Sequence, residues 1–212
     1  MEQGSKEWLE ARRCKLTASE FHIVTSGTTA AKERLVDRIL KELSGYVFPE
    51  INARSLSHGK EYEDHAIGAY ELHQLERGKD IEVDKCGLLV HPDYSFIGGS
   101  PDGLVGVDGL IEVKNPYNNE NHRVTLITGM PAKHRPQCVG NIWVSGREWC
   151  DFISHDPHEP HIPNRLYVQR IYRDDDEIAL LADQVLNFWD KHISRLEPVK
   201  SEDLLTTQIP TF

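Results

Sequence analysis

Two carboxylates and a lysine stand at a spacing that could bring them together. Asp102 lies in Ser100-Pro-Asp-Gly103, where proline and glycine predict a tight turn. Further along, Glu112 and Lys114 occupy the short β-rich run Leu110-Ile-Glu-Val-Lys114, so they share one face of a predicted strand. If the turn folds back beside this strand, the two carboxylates repel one another unless a cation lies between them.

Magnesium is the cation that this set of residues would suit. Mg²⁺ prefers oxygen ligands and retains bound waters, and the carbonyl of Val113 could supply a further oxygen. One bound water could attack a phosphate while Lys114 orients it or favours its deprotonation. The alternative is a surface hairpin in which Glu112 and Lys114 form only an ion pair.

The elements that must position these residues can be predicted from periodicity. Apolar positions at helical spacing predict helices over 29–44, 60–73, 137–144 and 174–195. A capping-box pattern at Thr17-Ala-Ser-Glu20 predicts another helix start. Strands are predicted over 87–90, 94–97, 110–114, 149–155 and 165–172. This order predicts an α/β fold with a mixed central β-sheet flanked by helices, as one domain over 1–196 with a tail over 197–212.

Composition limits the classes of protein without choosing the partner. Lys and Arg number 24 against 34 Asp and Glu, a formal net charge of −10, which at first argues against nucleic acid. We expect basic side chains such as Arg12, Arg13 and Lys15 to gather on one surface, with the acidic ones elsewhere. The four cysteines form no Cys-x-x-Cys pair, and no run is apolar enough for a membrane span, so we expect a cytoplasmic protein.

Four blocks of sequence carry a resemblance to a known family. Ser-Pro-Asp-Gly followed by Glu-Val-Lys-Asn-Pro resembles the PD-(D/E)XK nuclease motif. The other blocks narrow the resemblance to the phage lambda exonuclease and YqaJ-type viral recombinase family: Trp8 to Glu20 (WLEARRCKLTASE), Gly59 to Ala66 (GKEYEDHA) and Gln137 to Trp143 (QCVGNIW). They occur in the family's order and span most of the chain.

The resemblance implies a fold and an activity. The fold would be that of the restriction endonucleases, and the activity a Mg²⁺-dependent 5′→3′ exonuclease that degrades one strand of linear double-stranded DNA for recombination. Two Mg²⁺ ions would act, with Mn²⁺ as a substitute. The partners would be double-stranded DNA ends, two further copies in a homotrimer ring, and a single-strand annealing protein. A phage or prophage would encode the protein, which would act in the cytoplasm of the bacterial host.

The resemblance also implies a role for individual residues. The metal ligands would be Asp102, Glu112 and the carbonyl of Val113. The remaining catalytic residues would be Lys114 on the attacking water, Glu63 at a second metal or its water, and Gln137 ordering the water or the lysine. Arg12, Ser19 and Ser100 would bind the 5′-terminal phosphate. Glu61 is an alternative to Glu63, and Arg13 is an alternative to Arg12; the family's spacing favours Glu63 and Arg12.

Two other functions remain open from the sequence, and one cluster is set aside. The same motif could belong to an endonuclease that cuts DNA internally, or to a DNA-end-binding module that has lost catalysis. His155, His158 and His161 are spaced by prolines, which predicts a solvated loop rather than a metal site.

Overall fold

The structure is a computed structural model that describes residues 2–48 and 54–196, with side chains over 2–48 and 62–195. The predicted tail over 197–212 lies outside the described residues. The helices are α1 (Lys6–Arg12), α2 (Phe21–Ser26), α3 (Thr29–Leu43), α4 (Arg54–Leu75), α5 (Asn119–Thr128), α6 (Arg135–Ser145) and α7 (Asp175–His192). The predicted mixed α/β architecture is confirmed.

The strands form two sheets. They are β1 (Leu16–Thr17), β2 (Val83–Asp84), β3 (Leu89–Val90), β4 (Ile97–Gly99), β5 (Gly103–Val105), β6 (Gly109–Lys114), β7 (Trp149–His155) and β8 (Leu166–Tyr172). The larger sheet has the order β2-β5-β6-β7-β8, in which only the β6–β7 pair is parallel. The smaller sheet has the order β1-β4-β3. The central sheet is therefore mixed, with β6 in its middle.

Helices cover both faces of the central sheet, so β6 is buried on both sides. Alternate side chains of a strand point to opposite faces. Leu110 packs into the larger apolar cluster with residues of α2, α6 and α7. Ile111 and Val113 pack on the other face, against Ala66 and Tyr70 of α4. Glu112 thus points from the middle of the sheet towards the α6 side.

A buried polar network fixes α4 against the sheet. The hydroxyl of Tyr70 donates to Asp151 Oδ2 over 2.7 Å, and Arg170 binds both oxygens of Asp151 over 2.8 Å each. The guanidinium of Arg170 also lies 3.5 Å from the ring centre of Trp149. Burial, together with the charge of Asp151, raises the pKa of Tyr70, so its hydroxyl keeps its proton. This network ties α4 to β7 and β8 through Tyr70.

The structure differs from the predicted elements mainly where strands are short. The strand predicted over 87–90 is shorter and covers 89–90. The strand predicted over 94–97 begins only at its last residue and covers 97–99. Asp102 lies at a bend, where its proline and glycine predict a turn, but the chain then continues into β5 and the hairpin reverses at Gly106, whose φ is +54°. Helix α5 is not among the predicted helices because its sequence is mostly polar and shows no clear apolar stripe. Its N-cap is Asn118, whose side chain accepts a hydrogen bond from the backbone N–H of Glu120.

No helix within the described ranges is long and apolar enough to cross a membrane. The four cysteines are free thiols, as their wide spacing predicts.

Candidate active site

Asp102 and Glu112 come together because β5 and β6 are antiparallel neighbours. The backbone N–H of Asp102 donates to the carbonyl of Ile111 over 3.1 Å, and the N–H of Val113 donates to Asp102 Oδ2 over 2.6 Å. Asp102 thus extends the pairing of β5 with β6 and lies beside Glu112. Lys114 Nζ donates to Glu112 Oε1 over 2.5 Å, as expected for side chains on one strand face. We call Asp102, Glu112 and Lys114 the carboxylate cluster.

When both of its carboxylates are ionised, the carboxylate cluster holds one more negative charge than its lysine balances. Burial, followed by the charges of Glu112 and Glu63, raises the pKa of Asp102 well above its ordinary value. Burial lowers the pKa of Lys114, but the charges of Glu112 and Asp102 outweigh it and raise that pKa. Lys114 is therefore a protonated ammonium. The site favours an additional cation, because each carboxylate raises the energy of the other.

Glu63 reaches the carboxylate cluster from α4. It lies on the helix face that carries Ala66, Ile67 and Tyr70, at spacings of three, four and seven residues, and this face packs on β6 and β7. Its charge acts on Asp102 strongly enough to raise that pKa. The side chain of its alternative, Glu61, lies outside the described residues. The structure thus places Glu63 on the side of α4 that packs on the sheet, where its charge acts on Asp102, and its role at a second metal stays a prediction.

Helix α6 approaches the carboxylate cluster from the other face of the sheet. Gln137 is half-buried in its first turn, and Asn141 follows one turn later on the same face. Asn141 Nδ2 donates to Glu112 Oε2 over 3.0 Å. Sequence reasoning assigned a role to Gln137 but missed Asn141, although its spacing of four residues from Gln137 could have indicated a shared face.

The oxygen donors fit a hard divalent cation. Carboxylates of Asp102 and Glu112 lie side by side, with Glu63 near, and Mg²⁺ is held in proteins by one or two carboxylates plus water. Among the described side chains, no three His, Cys, Asp or Glu residues already stand in a metal-ligating arrangement. A site that uses two carboxylates and water does not need three. The ligand role of the Val113 carbonyl stays a prediction.

A second group of polar side chains converges on the guanidinium of Arg12. Its Nη2 donates to the hydroxyls of Thr17 over 3.0 Å and Ser19 over 3.2 Å, and its Nη1 to that of Ser100 over 3.4 Å. We call Arg12, Thr17, Ser19 and Ser100 the hydroxyl pocket. Its three residues predicted from the sequence, Arg12, Ser19 and Ser100, are thus brought together, and Thr17 is an addition.

Trp8 supports the hydroxyl pocket from one side. The guanidinium carbon of Arg12 lies 4.3 Å from the centre of the Trp8 ring, and Trp8 Nε1 donates to Ser100 Oγ over 3.1 Å. Burial lowers the pKa of Arg12, yet arginine stays protonated at any working pH. A desolvated cation among hydroxyls is an anion-binding arrangement, since hydroxyls can rotate to donate.

Arg13, the alternative to Arg12 in the sequence, does not contact the hydroxyl pocket and has other partners. Arg13 Nη1 pairs with Glu10 over 2.7 Å, and its Nη2 donates to the carbonyl of Tyr46 over 3.2 Å.

The predicted capping box is present at Thr17, whose N–H donates to Glu20 Oε2 over 3.1 Å. It begins a 3-10 turn at 18–20 that precedes the short helix α2. The hydroxyl pocket therefore depends on side chains rather than on a long helix.

The predicted solvated histidine loop is partly wrong. His158 and His161 are exposed, but His155 is buried because it is the last residue of β7, and its Nδ1 lies 3.2 Å from Asn115 Oδ1. Burial, with a smaller effect of His122, lowers the pKa of His155 to about 4. His155 is thus a neutral side chain of the core at neutral pH.

Lowering the pH from 7 to 5 is expected to destabilise the protein partly through His155. The unfolded chain takes up a proton near the ordinary pKa of 6.5, whereas the native state keeps His155 neutral to about pH 4. His155 therefore contributes stability above pH 6.5 that is lost as the pH falls, about 1–2 kcal/mol at pH 5. Urea unfolding of His155→Gln at both pH values should show a smaller drop than the parent.

The exposed His161 provides the matched control for this measurement. His161→Gln should keep the pH dependence of the parent. A His155→Gln variant with the same pH dependence as the parent would contradict a buried neutral imidazole.

The fold and the carboxylate cluster together define the chain as a protein of the PD-(D/E)XK nuclease type, with Asp102 directly before β5 and Glu112-Val-Lys114 on the adjacent strand β6. The sequence model of the YqaJ-like viral recombinase domain matches residues 7–148. The chain belongs to the YqaJ-like viral recombinase family, as its sequence blocks predict.

Solved structures of similar proteins agree with this assignment. The chain is similar to an alkaline exonuclease, LHK-Exo, from Laribacter hongkongensis, with 34% identity, a TM-score of 0.80, and coverage of 95% of this chain and 99% of that one. A complex of LHK-Exo with dAMP matches with a TM-score of 0.81 and 33% identity over the same shares. A phage-related exonuclease from Haemophilus somnus 129PT shares the fold, at 20% identity and a TM-score of 0.58, over 86% of this chain and 96% of that one.

A curated relative is much longer than this chain. An uncharacterized protein, R354, of Acanthamoeba polyphaga mimivirus is 29% identical over 165 residues, which are 72% of this chain. The chain spans only 29% of the length of that relative.

Proposed function

We propose that this protein is a Mg²⁺-dependent 5′→3′ exonuclease that degrades one strand of linear double-stranded DNA and leaves a 3′ single strand for recombination. The observation that carries the proposal is the nearness of two sites in sequence and space. Ser100 of the hydroxyl pocket and Asp102 of the carboxylate cluster are separated by one residue. A site for a terminal phosphate thus adjoins a site for hydrolysis.

The carboxylate cluster would carry the hydrolysis. Bound Mg²⁺ supplies Lewis acidity towards the phosphate and lowers the pKa of a coordinated water. Asp102 and Glu112 would hold the metal, with the carbonyl of Val113 assisting. Lys114, a protonated ammonium beside Glu112, would orient the attacking water and offset negative charge that develops on the phosphate.

Glu63 and Gln137 would complete the site from the two helices. Glu63 adds a carboxylate from α4, where it would bind a second metal ion or its water. Gln137 lies at the start of α6 and would order the water or Lys114. Both helices pack on β6, the strand that carries Glu112 and Lys114.

The hydroxyl pocket would bind the 5′-terminal phosphate. Arg12 can present two N–H groups to one phosphate, a geometry that favours a dianion over a neutral group. The hydroxyls of Ser19 and Ser100 would turn from accepting to donating when a phosphate replaces their present contacts. Binding of the end would then align the adjacent phosphodiester with the carboxylate cluster.

The assembly and partners in this proposal are supported by the family resemblance. We propose a homotrimer ring around the duplex, a single-strand annealing protein as partner, and phage-encoded action in the cytoplasm of a bacterial host. A ring would retain DNA by topology, which suits a chain of net charge −10. Light scattering should give three times the 24.2 kDa chain mass, and a monomer would contradict the ring.

Digestion of linear and covalently closed circular duplexes of one sequence tests the proposed function. With Mg²⁺, the linear duplex should be degraded and the circle left intact, and a chelator should stop the reaction. A label on the 5′ end should appear in small products before a label on the 3′ end. Cleavage of the circle would instead indicate an endonuclease, and binding of ends without turnover in Mg²⁺ or Mn²⁺ would indicate an inactive end-binding module.

A further inference from the structure

Asn141 holds the second oxygen of the most buried carboxylate in the site. Asn141 and Glu112 are each 1% exposed, and Asn141 Nδ2 donates to Glu112 Oε2 over 3.0 Å. The other oxygen of Glu112 accepts from Lys114. Among the described side chains, Lys114 of the same strand thus donates to one oxygen of Glu112 and Asn141 of the helix packed on that face donates to the other.

The chemistry of the contact fixes the direction of the amide. Turning Asn141 over would place its oxygen against Glu112 Oε2, and two acceptors repel. With the nitrogen towards Glu112, Asn141 Oδ1 is buried and makes no hydrogen bond with the described residues. A buried acceptor without a partner costs about 1–3 kcal/mol, and the hydrogen bond from Asn141 to the buried carboxylate of Glu112 offsets that cost.

Strand β4 has a glycine where it passes the side-chain amide of Asn141. A Cβ atom on Gly99 would lie 2.7 Å from Asn141 Oδ1, so the glycine in β4 leaves the space that the amide fills. Gly99 continues directly into the segment that carries Ser100 and Asp102. Asn141 is therefore packed between the backbone that leads to one carboxylate and the side chain of the other.

We propose that Asn141 is a positioning residue that holds the Glu112 carboxylate in the orientation needed to bind a divalent cation. The inference rests on the proposed function for the identity of the ligand as a metal ion. A carboxylate whose partner hydrogen bond fixes its plane loses less freedom when it binds a metal. The unsatisfied Oδ1 is then the cost of placing an N–H donor where Glu112 requires one.

Metal binding and stability of Asn141→Leu, measured on the full chain without DNA, test the proposal. Leucine has a similar size and removes both the donor and the unsatisfied acceptor. We expect Mn²⁺ affinity, followed by electron paramagnetic resonance of the free ion, to fall about 10- to 100-fold. Because leucine leaves Glu112 Oε2 buried without this donor, the thermal midpoint without metal should fall, as it should in the control below, so the Mn²⁺ affinity is the readout that decides. Asn141→Ala should weaken Mn²⁺ binding in the same way if the leucine variant does not fold.

Val144→Ala is the matched control on the same helix. Val144 is buried in α6 near Gly99, and shortening it lowers stability without removing a donor to Glu112. It should bind Mn²⁺ like the parent. Unchanged Mn²⁺ affinity in Asn141→Leu, or an equal loss in both variants, would overturn the positioning role.

The outcomes for the two proposals are distinguishable. A parent protein that binds Mn²⁺ but digests no DNA would defeat the proposed function, while the titrations would still decide the role of Asn141. A parent that binds no Mn²⁺ would overturn both.

Discussion

Asp102→Asn is expected to abolish digestion of linear DNA while making the protein more stable. The substitution keeps an oxygen that can accept from the Val113 N–H but removes a charge that would hold the metal. Loss of several kcal/mol of charge stabilisation corresponds to a rate decrease of about a thousandfold. Digestion of a linear duplex in Mg²⁺ measures the first effect, and thermal unfolding at pH 7 without metal measures the second.

The sign of the stability effect follows from the pKa of Asp102. Burial and the nearby carboxylates raise that pKa in the folded state, so the native protein binds the proton more tightly than the unfolded chain does. Stability therefore falls as the pH rises through the pKa range, and the charge destabilises the fold at pH 7. Asparagine carries no such charge, and the thermal midpoint should rise.

Asp108→Asn is the control for this prediction. Asp108 is an exposed carboxylate in the same β5–β6 hairpin. Its replacement should leave both the rate and the thermal midpoint unchanged. A folded Asp102→Asn variant that digests DNA at the parent rate would refute the assignment of the carboxylate cluster.

Arg12→Met is expected to remove the preference for a 5′-phosphate. Loss of two charge-assisted hydrogen bonds to a phosphate costs roughly 2–3 kcal/mol, so digestion from 5′-phosphorylated ends should slow about 30- to 100-fold. Digestion from 5′-hydroxyl ends should change little, because those ends offer the guanidinium no dianion. Initial rates on two duplexes that differ only in the terminal group measure the ratio.

The neighbouring arginine tests whether position or mere charge matters. Arg13→Met removes the same charge from the next residue, whose guanidinium pairs with Glu10. It should retain the preference of the parent for a 5′-phosphate. If Arg12→Met prefers 5′-phosphorylated over 5′-hydroxyl ends as strongly as the parent does, the hydroxyl pocket does not bind the 5′-terminal phosphate.

The central motif could be predicted from sequence because its residues lie within one short segment of the chain. Strand alternation is enough to put Glu112 and Lys114 on one face, and the pairing of β5 with β6 needs only a short hairpin between them. The long amphipathic helix α7 was also predicted nearly to its ends, since its apolar stripe repeats over five turns and an aspartate caps it.

Other features depend on contacts between distant segments and were not predictable. Proline and glycine predict the turn around Asp102, but they do not reveal that the bend leads directly into β5, whose pairing with β6 begins at the Asp102 N–H. The burial of His155 follows from its position at the end of a central strand. The role of Asn141 depends on a helix and a strand that are 29 residues apart in sequence. The spacing of Asn141 from Gln137 indicates a shared helix face, but not the contact of that face with Glu112.

The link from Ser100 through Pro101 to Asp102 has a mechanical consequence. Two peptide units span at most about 7 Å, and proline fixes one of their dihedral angles. The hydroxyl pocket and the carboxylate cluster therefore cannot slide apart or be adjusted separately. Under the proposed function this link is a molecular ruler: the reach from the end of the strand to the bond that is cut is built into the covalent chain.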